Sequence, residues 1–312
     1  MSVDFNWFPG HMNKTLKEIE KRIPIVDLVI EIVDARAPYS SQNQTFKKIL
    51  DSKPVLCVIS KADLADPNIT KQWINFFESN NKHVFVIDPN NKNIVKDLIN
   101  AIDHATKEKQ DKDRAKGFVN SLINVLVIGI PNVGKSTFIN KIIRDKSVKV
   151  GNKPGVTRGI QTLSLNKRIT LMDTPGVLPA KLENELTATN ICGIYSIKED
   201  VYPRERVASR LMKYVYNNYN NLIEKKYHLV SSLKRPIETI DSYYLFEMIA
   251  TSLGWIIANE IPDIERVMQA FIRDLANGKI GKISFERPSD IIIEEPQDSI
   301  MNEKIEDITT QW

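Results

Sequence analysis

The chain carries only two cysteines in 312 residues, too few and too scattered for a disulfide framework or a zinc site. Cys57 lies inside an apolar run and Cys192 stands alone, a usage that suits a reducing compartment. No stretch approaches the roughly eighteen consecutive apolar residues that span a bilayer, so no membrane segment is expected. Internal repeats are lacking too. A recognisable motif begins within a few residues of Met1, which leaves no room for a cleaved presequence, and the expected location is the cytoplasm. Net charge is modest, at +4, and by itself does not call for a nucleic-acid partner. Its distribution is uneven: residues 287–312 hold two basic and seven acidic side chains, a net −5, against +9 for residues 1–286. A mildly basic body with an acidic, disordered tail is compatible with an RNA partner. A Lys-, Asn- and Ile-rich chain can equally reflect genome base composition.

What is present begins with Gly129-Ile-Pro-Asn-Val-Gly-Lys135-Ser136. It follows the apolar run Asn124–Ile128 and opens a helical stretch, the strand, loop and helix context of a phosphate-binding Walker A motif. The glycines let backbone N–H groups close around phosphates, Lys135 reaches the terminal phosphates, and the Ser136 hydroxyl is placed for Mg2+. Asp173-Thr-Pro-Gly176 ends a second short apolar run, Ile169–Met172, where a carboxylate can hold Mg2+ through water. Between them Lys153-Pro-Gly-Val-Thr157 has the character of a first switch, whose threonine meets the metal.

The motif that reads the base is displaced. Asn-Lys-x-Asp normally follows Asp-x-x-Gly in a GTPase, its carboxylate accepting two hydrogen bonds from guanine, but nothing of this form lies downstream of Gly176. Upstream, the apolar run Pro54–Ile59 ends in Ser60-Lys61-Ala62-Asp63. The order is rotated, which is physically allowed because these motifs sit on loops at one edge of an open parallel sheet.

Together with Phe5-Asn-Trp7-Phe-Pro-Gly10-His11-Met and Asp34-Ala-Arg36-Ala-Pro38, these motifs closely resemble those of the circularly permuted GTPases of the YlqF type, from the N-terminus to about Gly176. The resemblance implies an α/β fold: a circularly permuted Ras-like P-loop GTPase domain over residues 1–180, a smaller all-helical domain over 181–286, and the acidic tail. It implies a GTP-hydrolysing factor that assists late assembly of the large ribosomal subunit, binding the ribosome or its rRNA as a monomer in the GTP state. A protein-binding switch without RNA contact is the alternative. The GTP-binding set expected is Ser60, Lys61, Asp63, Asn132, Val133, Gly134, Lys135, Ser136, Thr137 and Gly176, with Mg2+ on Ser136, Thr157 and Asp173.

Two departures stand out. Ser60 replaces the usual Asn, weakening a tie worth about 0.5 to 1.5 kcal/mol, while Asp63 keeps guanine selectivity. Val86-Ile-Asp88-Pro-Asn-Asn91 takes the place of a Ser-rich loop behind the base. Catalysis poses a further question, since the position after Gly176, where Ras-like enzymes keep a water-orienting Gln, is Val177. With Lys135 and Thr157, the resemblance points to His11 for catalysis; the residue pattern alone also allows His11 to cap the first helix. Asn132 either holds K+ against the phosphates, as in related GTPases with a hydrophobic residue at that place, or only shapes the loop. Arg36, just beyond a strand end, reads as a member of a structural ion pair with Asp34 or a neighbour, in preference to an internal finger for the phosphates.

Elsewhere the spacing predicts a basic amphipathic helix over Asn13–Arg22, parallel strands over Leu28–Val33, Val55–Ile59 and Val84–Ile87, and a solvated helix or linker over Thr106–Lys116. Past Pro179 it predicts helices only, over Arg204–Ile223, Ser242–Ala258 and Pro262–Ala276. Arg204, Arg206, Arg210 and Lys213 lie near Tyr214 and Tyr216, a combination able to meet phosphate and stack on unpaired bases.

Overall fold

In the computed structural model the three N-terminal apolar runs become adjacent parallel strands, β1 (Leu28–Asp34), β2 (Val55–Ser60) and β3 (His83–Val86). The described residues are 10–118, 120–145, 160–179, 182, 184–230 and 233–291, without the side chains of 11–13, 48 and 145. β4 (Ile123–Ile128) joins the other side of β1, and β6 (Ile169–Asp173) joins β4, both parallel. The sheet order is β3-β2-β1-β4-β6-β5. All seven residues of β1 are buried, because helices cover both faces of a central parallel strand. That is why it reads as an apolar run interrupted only by Glu31 before it ends at Asp34.

The one strand not legible in the sequence is β5 (Gln161–Ser164), antiparallel to β6 with Gln161 opposite Asp173. It is an edge strand of mostly polar residues in which only Leu163 is buried, so no apolar run announces it.

Helices α1 (Gly10–Arg22), α2 (Lys47–Leu50), α3 (Pro67–Ser79), α4 (Ile94–Ala105), α5 (Lys107–Ala115) and α6 (Lys135–Asp145) accompany these strands. In α3, Pro67 occupies the first turn and the Asp66 carboxylate accepts from Asn68 N and Ile69 N, so the helix start is written in two adjacent residues. Beyond β6 the described chain is helical: α7 (Glu185–Gly193), α8 (Arg204–Tyr227), α9 (Asp241–Ser252) and α10 (Ile264–Ala276). The expected helix over Ser242–Ala258 stops at Ser252. Gly254 takes φ +64 and Trp255 N returns to Ala250 O at 2.8 Å, a glycine-closed C-terminus that ends the helix despite the apolar residues following it. No helix among the described residues is long and apolar enough to cross a membrane. Both cysteines are buried, and burial pushes both thiols up.

One apolar cluster runs from Ile30, Val127 and Leu171 of the sheet through Leu178 and Ile191 to Leu211, Ile249 and Phe271 of the C-terminal helices. Polar contacts reinforce this junction. Glu286 is fully buried, and its carboxylate accepts from Tyr39 N at 2.5 Å, Ser40 N at 3.0 Å, Asn190 Nδ2 at 3.0 Å and the Ser40 hydroxyl. Burial pushes its pKa up, while the donors from Ser40, Tyr39 and Asn190 oppose that shift. The backbone on either side is also held. Phe285 N donates to Arg36 O at 2.7 Å, and Trp73 Nε1 donates to Glu286 O at 3.2 Å. Glu286→Ala would strand these donors in a dry site, so a loss of about 3 kcal/mol is expected. Urea unfolding followed by circular dichroism measures it, and a change below about 1 kcal/mol would show that the donors find other partners.

Candidate nucleotide site

At the C-terminal edge of the sheet, β4 ends at Ile128 and the chain turns through Gly129–Gly134 into α6. The turn requires its glycines. A Cβ on Gly129 would stand 2.9 Å from Ile32 O, and Gly134 adopts φ +90. Asn132 takes the left-handed region as well, at φ 62, which asparagine tolerates better than most residues. Val133 is buried, whereas Ser136 and Thr137 are exposed in the first turn of α6, where N–H groups and the helix dipole favour an anion. Lys135 is nearly buried and its Nζ lies 2.8 Å from Asp173 Oδ1, also donating to Thr174 O. The expected phosphate-binding cation and the expected metal-binding carboxylate are therefore in direct contact.

Asp173 closes β6, and the following turn packs against the phosphate loop. A Cβ on Gly176 would meet Pro131 N and Pro131 Cα at 3.0 Å. Val177 is 1% exposed and belongs to the core, so the position that carries a water-orienting Gln elsewhere is turned inward. Asn43 Nδ2 donates to Val177 O at 2.6 Å. Asn43 was not identified from sequence; nothing in Ser40-Ser-Gln-Asn43 distinguishes it from an ordinary polar loop.

The loop expected to read the base leaves β2 beside the phosphate loop. Ser60 is 3% exposed, and its hydroxyl lies 2.9 Å from Val33 O and within hydrogen-bond reach of Val133 O. A serine hydroxyl has one proton for these two carbonyls. The tie between loops is thus kept by serine, with one donor where an asparagine amide would offer two. Lys61 adopts φ 54, donates to Asn132 O and pairs with Asp34 Oδ2 at 3.0 Å. Asp63 is exposed on the same loop. In the segment after β3, expected to back the base, Asp88 O and Pro89 O accept from Lys141 Nζ of α6 at 2.9 Å and 2.7 Å.

Arg36 is the structural partner of Asp34. It is 1% exposed and gives Nε to Asp34 Oδ1 at 2.9 Å and Nη2 to Oδ2 at 2.7 Å. Burial raises the Asp34 pKa, but the Arg36 guanidinium and its hydrogen bonds, with help from Lys61, hold it down to about 2. Arg36 is thus committed to the interior and is no finger for the phosphates.

Three expectations lie outside the described residues: Thr157, the acidic tail beyond residue 291, and the side chain of His11, whose backbone falls in the first turn of α1. The basic face of α8, expected to meet nucleic acid, is engaged in ion pairs within the fold. Arg204 pairs with Glu265 at 2.9 Å, Arg210 with Glu185 at 2.6 Å, Lys213 with Glu238 at 2.5 Å, and Arg206 also reaches Glu185. Tyr216 is a core residue, and Tyr214 packs against the same core. The spacing put cations beside aromatics, but acidic side chains from α7, α10 and the segment before α9 compensate those cations.

A phosphate loop, an Asp-x-x-Gly turn and a Lys-x-Asp loop converging on one edge of a mostly parallel sheet, with the last motif first in the chain, define a P-loop GTPase of permuted order. The family model described as 50S ribosome-binding GTPase matches residues 124–233. Ribosome biogenesis GTPase A of Bacillus cereus is 35% identical over 284 residues, covering 91% of this chain and 94% of the relative. Its Thermotoga maritima namesake is 31% identical over 287 residues, 92% of this chain and 95% of the relative. Among solved structures, GNP-bound YlqF from T. maritima aligns with a TM-score of 0.60 at 28% identity, covering 89% of this chain and 100% of that one. A GDP-bound YlqF gives 0.61 at 28% identity, covering 87% and 99%. The chain belongs to the ribosome biogenesis GTPase A (YlqF) family.

Because a methyl group on Gly176 would press on the Pro131 backbone, Gly176→Ala is expected to displace the Asp173 turn from the phosphate loop and to weaken GTP binding at least about tenfold more than GDP binding. Titration with both nucleotides tests this, and equal losses would mean that the turn does not sense the γ-phosphate.

Proposed function

We propose that the chain is a GTP-dependent assembly factor for the large ribosomal subunit, which binds the subunit or its rRNA in the GTP state and leaves after hydrolysis. The observation that carries this reading is the convergence of the phosphate loop, Asp173 and the Ser60–Asp63 loop on one sheet edge, in a chain of this family. Residues 1–180 carry the nucleotide chemistry, 181–286 hold the partner, and the protein acts as a cytoplasmic monomer.

In this reading Asp63 accepts from the guanine ring N–H and amine, Lys61 lies along the base, and Ser60 braces the loop. Lys135, with the N–H groups of Asn132–Thr137, takes the phosphates. The donor set fits Mg2+: a hydroxyl at Ser136 and a carboxylate at Asp173 are hard oxygen ligands, and Mg2+ prefers few such ligands beside phosphate oxygens. Among the described residues no cluster of three His, Cys, Asp or Glu side chains competes for a metal. Bound there, with Thr157 as a further ligand, Mg2+ neutralises charge on the phosphates. Asn132 donates its Nδ2 to Tyr195 O, which orients the amide so that Oδ1 remains for K+.

Val177 cannot orient water, so turnover is slow until the partner docks and places His11 and Thr157 at the phosphates. The compensated cations of α8 favour a second reading, a switch that grips protein rather than RNA. Cosedimentation with large ribosomal subunits separates the two. Pelleting with a nonhydrolysable GTP analogue but not with GDP is expected; no pelleting in either state would remove the ribosomal reading. His11→Ala should lower subunit-stimulated turnover by at least about tenfold with GTP affinity nearly unchanged, and normal stimulated rates would remove His11 from the mechanism.

Nucleotide choice is a separate test. GTP should bind in preference to ATP, and Asp63→Asn should shift preference toward xanthine nucleotides, which present a carbonyl in place of the amine. Equal wild-type affinity for ATP and GTP, measured by competition, would sink the guanine reading.

A further inference from the structure

The segment that reads the base is held from behind by the helical half of the chain, and the contacts are specific. Arg36 uses two N–H groups on Asp34 and turns its third nitrogen outward. Nη1 donates to Ala276 O at 2.6 Å and Leu275 O at 3.3 Å, the last carbonyls of α10, where a cation also meets the negative end of the helix dipole. Asp34 in turn holds Lys61 Nζ, and Lys61 Nζ reaches Asn132 O of the phosphate loop. An unbroken line of charge-assisted contacts therefore runs from the end of α10 through Arg36 and Asp34 to Lys61.

A second set of contacts brackets Asp63. Ile283 N donates to Leu64 O at 3.1 Å, and Asp66 N donates to Ser284 Oγ at 3.2 Å. Tyr219 OH of α8 reaches Asp66 Oδ2 at 3.3 Å. Gly278 lies so close to Leu64 that a Cβ would stand 2.8 Å from its Cδ2. Lys61 itself sits in the left-handed region, at φ 54, a conformation that persists for a non-glycine residue only where its surroundings over-determine it.

We propose that Arg36 is a positioning residue for guanine recognition: by joining the C-terminus of α10 to Asp34 it fixes Lys61 and, with the Leu64 and Asp66 contacts, presents Asp63 to the base. The nucleotide site is then completed by residues from the far end of the chain, and movement of the helical half relative to the sheet changes affinity for guanine nucleotides whatever their phosphates. The proposal rests on the reading of Lys61 and Asp63 as the base-binding pair.

Arg36→Lys tests it in the full-length chain. A lysine still neutralises Asp34 but cannot give two N–H groups to the carboxylate and another to α10 in one plane. Calorimetric titration should show Kd for GDP and GTP raised by the same factor, about tenfold, with KM rising in step and kcat at saturation falling no more than about twofold. A lower melting temperature with wild-type Kd for the folded fraction would overturn the proposal and leave Arg36 a structural ion pair. The double variant Ser284→Ala, Tyr219→Phe removes two contacts to Asp66 without altering a charge. It should raise both Kd values about threefold, and it decides the matter if Arg36→Lys does not fold; unchanged affinities in it would then count against the proposal. Asp63→Asn keeps the two ideas apart. If it loses guanine preference while Arg36→Lys and the double variant bind normally, only the positioning role fails; if it binds guanine as the wild type does, the base-loop reading fails first.

Discussion

Asp34 is a charge with no access to water, and the arrangement around it governs how three parts of the chain meet. Burying a carboxylate costs several kcal/mol unless cations and N–H groups replace its hydration. Here Arg36 takes both oxygens, Lys61 shares one, and Ser41 Oγ accepts from the Asp34 backbone N–H. The guanidinium is buried too, so its remaining N–H must be satisfied, and the carbonyls at the end of α10 satisfy it. The end of β1, the Ser60–Asp63 loop and α10 are therefore fixed by one requirement: neither charge can lose its partners without leaving the other stranded in a dry site.

Glu286 solves a similar problem a short way along the surface of the sheet. Among the described residues it has no cation; four N–H and O–H donors from the loop after β1 and from α7 replace water instead. Because α7 follows closely on the Asp173–Val177 turn, this buried carboxylate connects the segment expected to respond to the γ-phosphate with the segment that follows α10. The phosphate loop has its own contacts to the region after α7, through Tyr195 O to Asn132 and Ser196 Oγ to Pro131 O. The helical half thus touches the phosphate loop, the base loop and the neighbourhood of the second switch. A GTPase whose first strand has been placed after its base-reading motif has room for such contacts, since its Asp-x-x-Gly turn leads straight into the additional helices.

Much of this was legible in the residues. Buried parallel strands are continuous apolar runs, so β1, β2, β4 and β6 announce themselves, and each carries its motif at its end because a loop must begin where the run stops. Gly129, Gly134 and Gly176 stand where the backbone requires glycine for a similar reason: backbone conformation and close approach are local demands that few residue types meet. β5 was not legible, since an edge strand half open to water needs no apolar pattern, and α9 ended early because a glycine outweighed the spacing.

Charges fared differently. Arg204, Arg206, Arg210 and Lys213 form a basic cluster in the sequence and a set of ion pairs in the fold, because Glu185, Glu238 and Glu265 arrive from other elements. Arg36 could be matched to Asp34 two residues away, yet its contact with Ala276 spans 240 positions. Asn43 and Glu286 carry no local signature at all. The sequence by itself determined the elements, the motifs and the chemistry that each loop offers, since these follow from spacing and backbone conformation within a few residues. Only the tertiary structure decided which polar groups satisfy one another, because a hydrogen bond or ion pair depends on where distant segments are brought together once water is excluded.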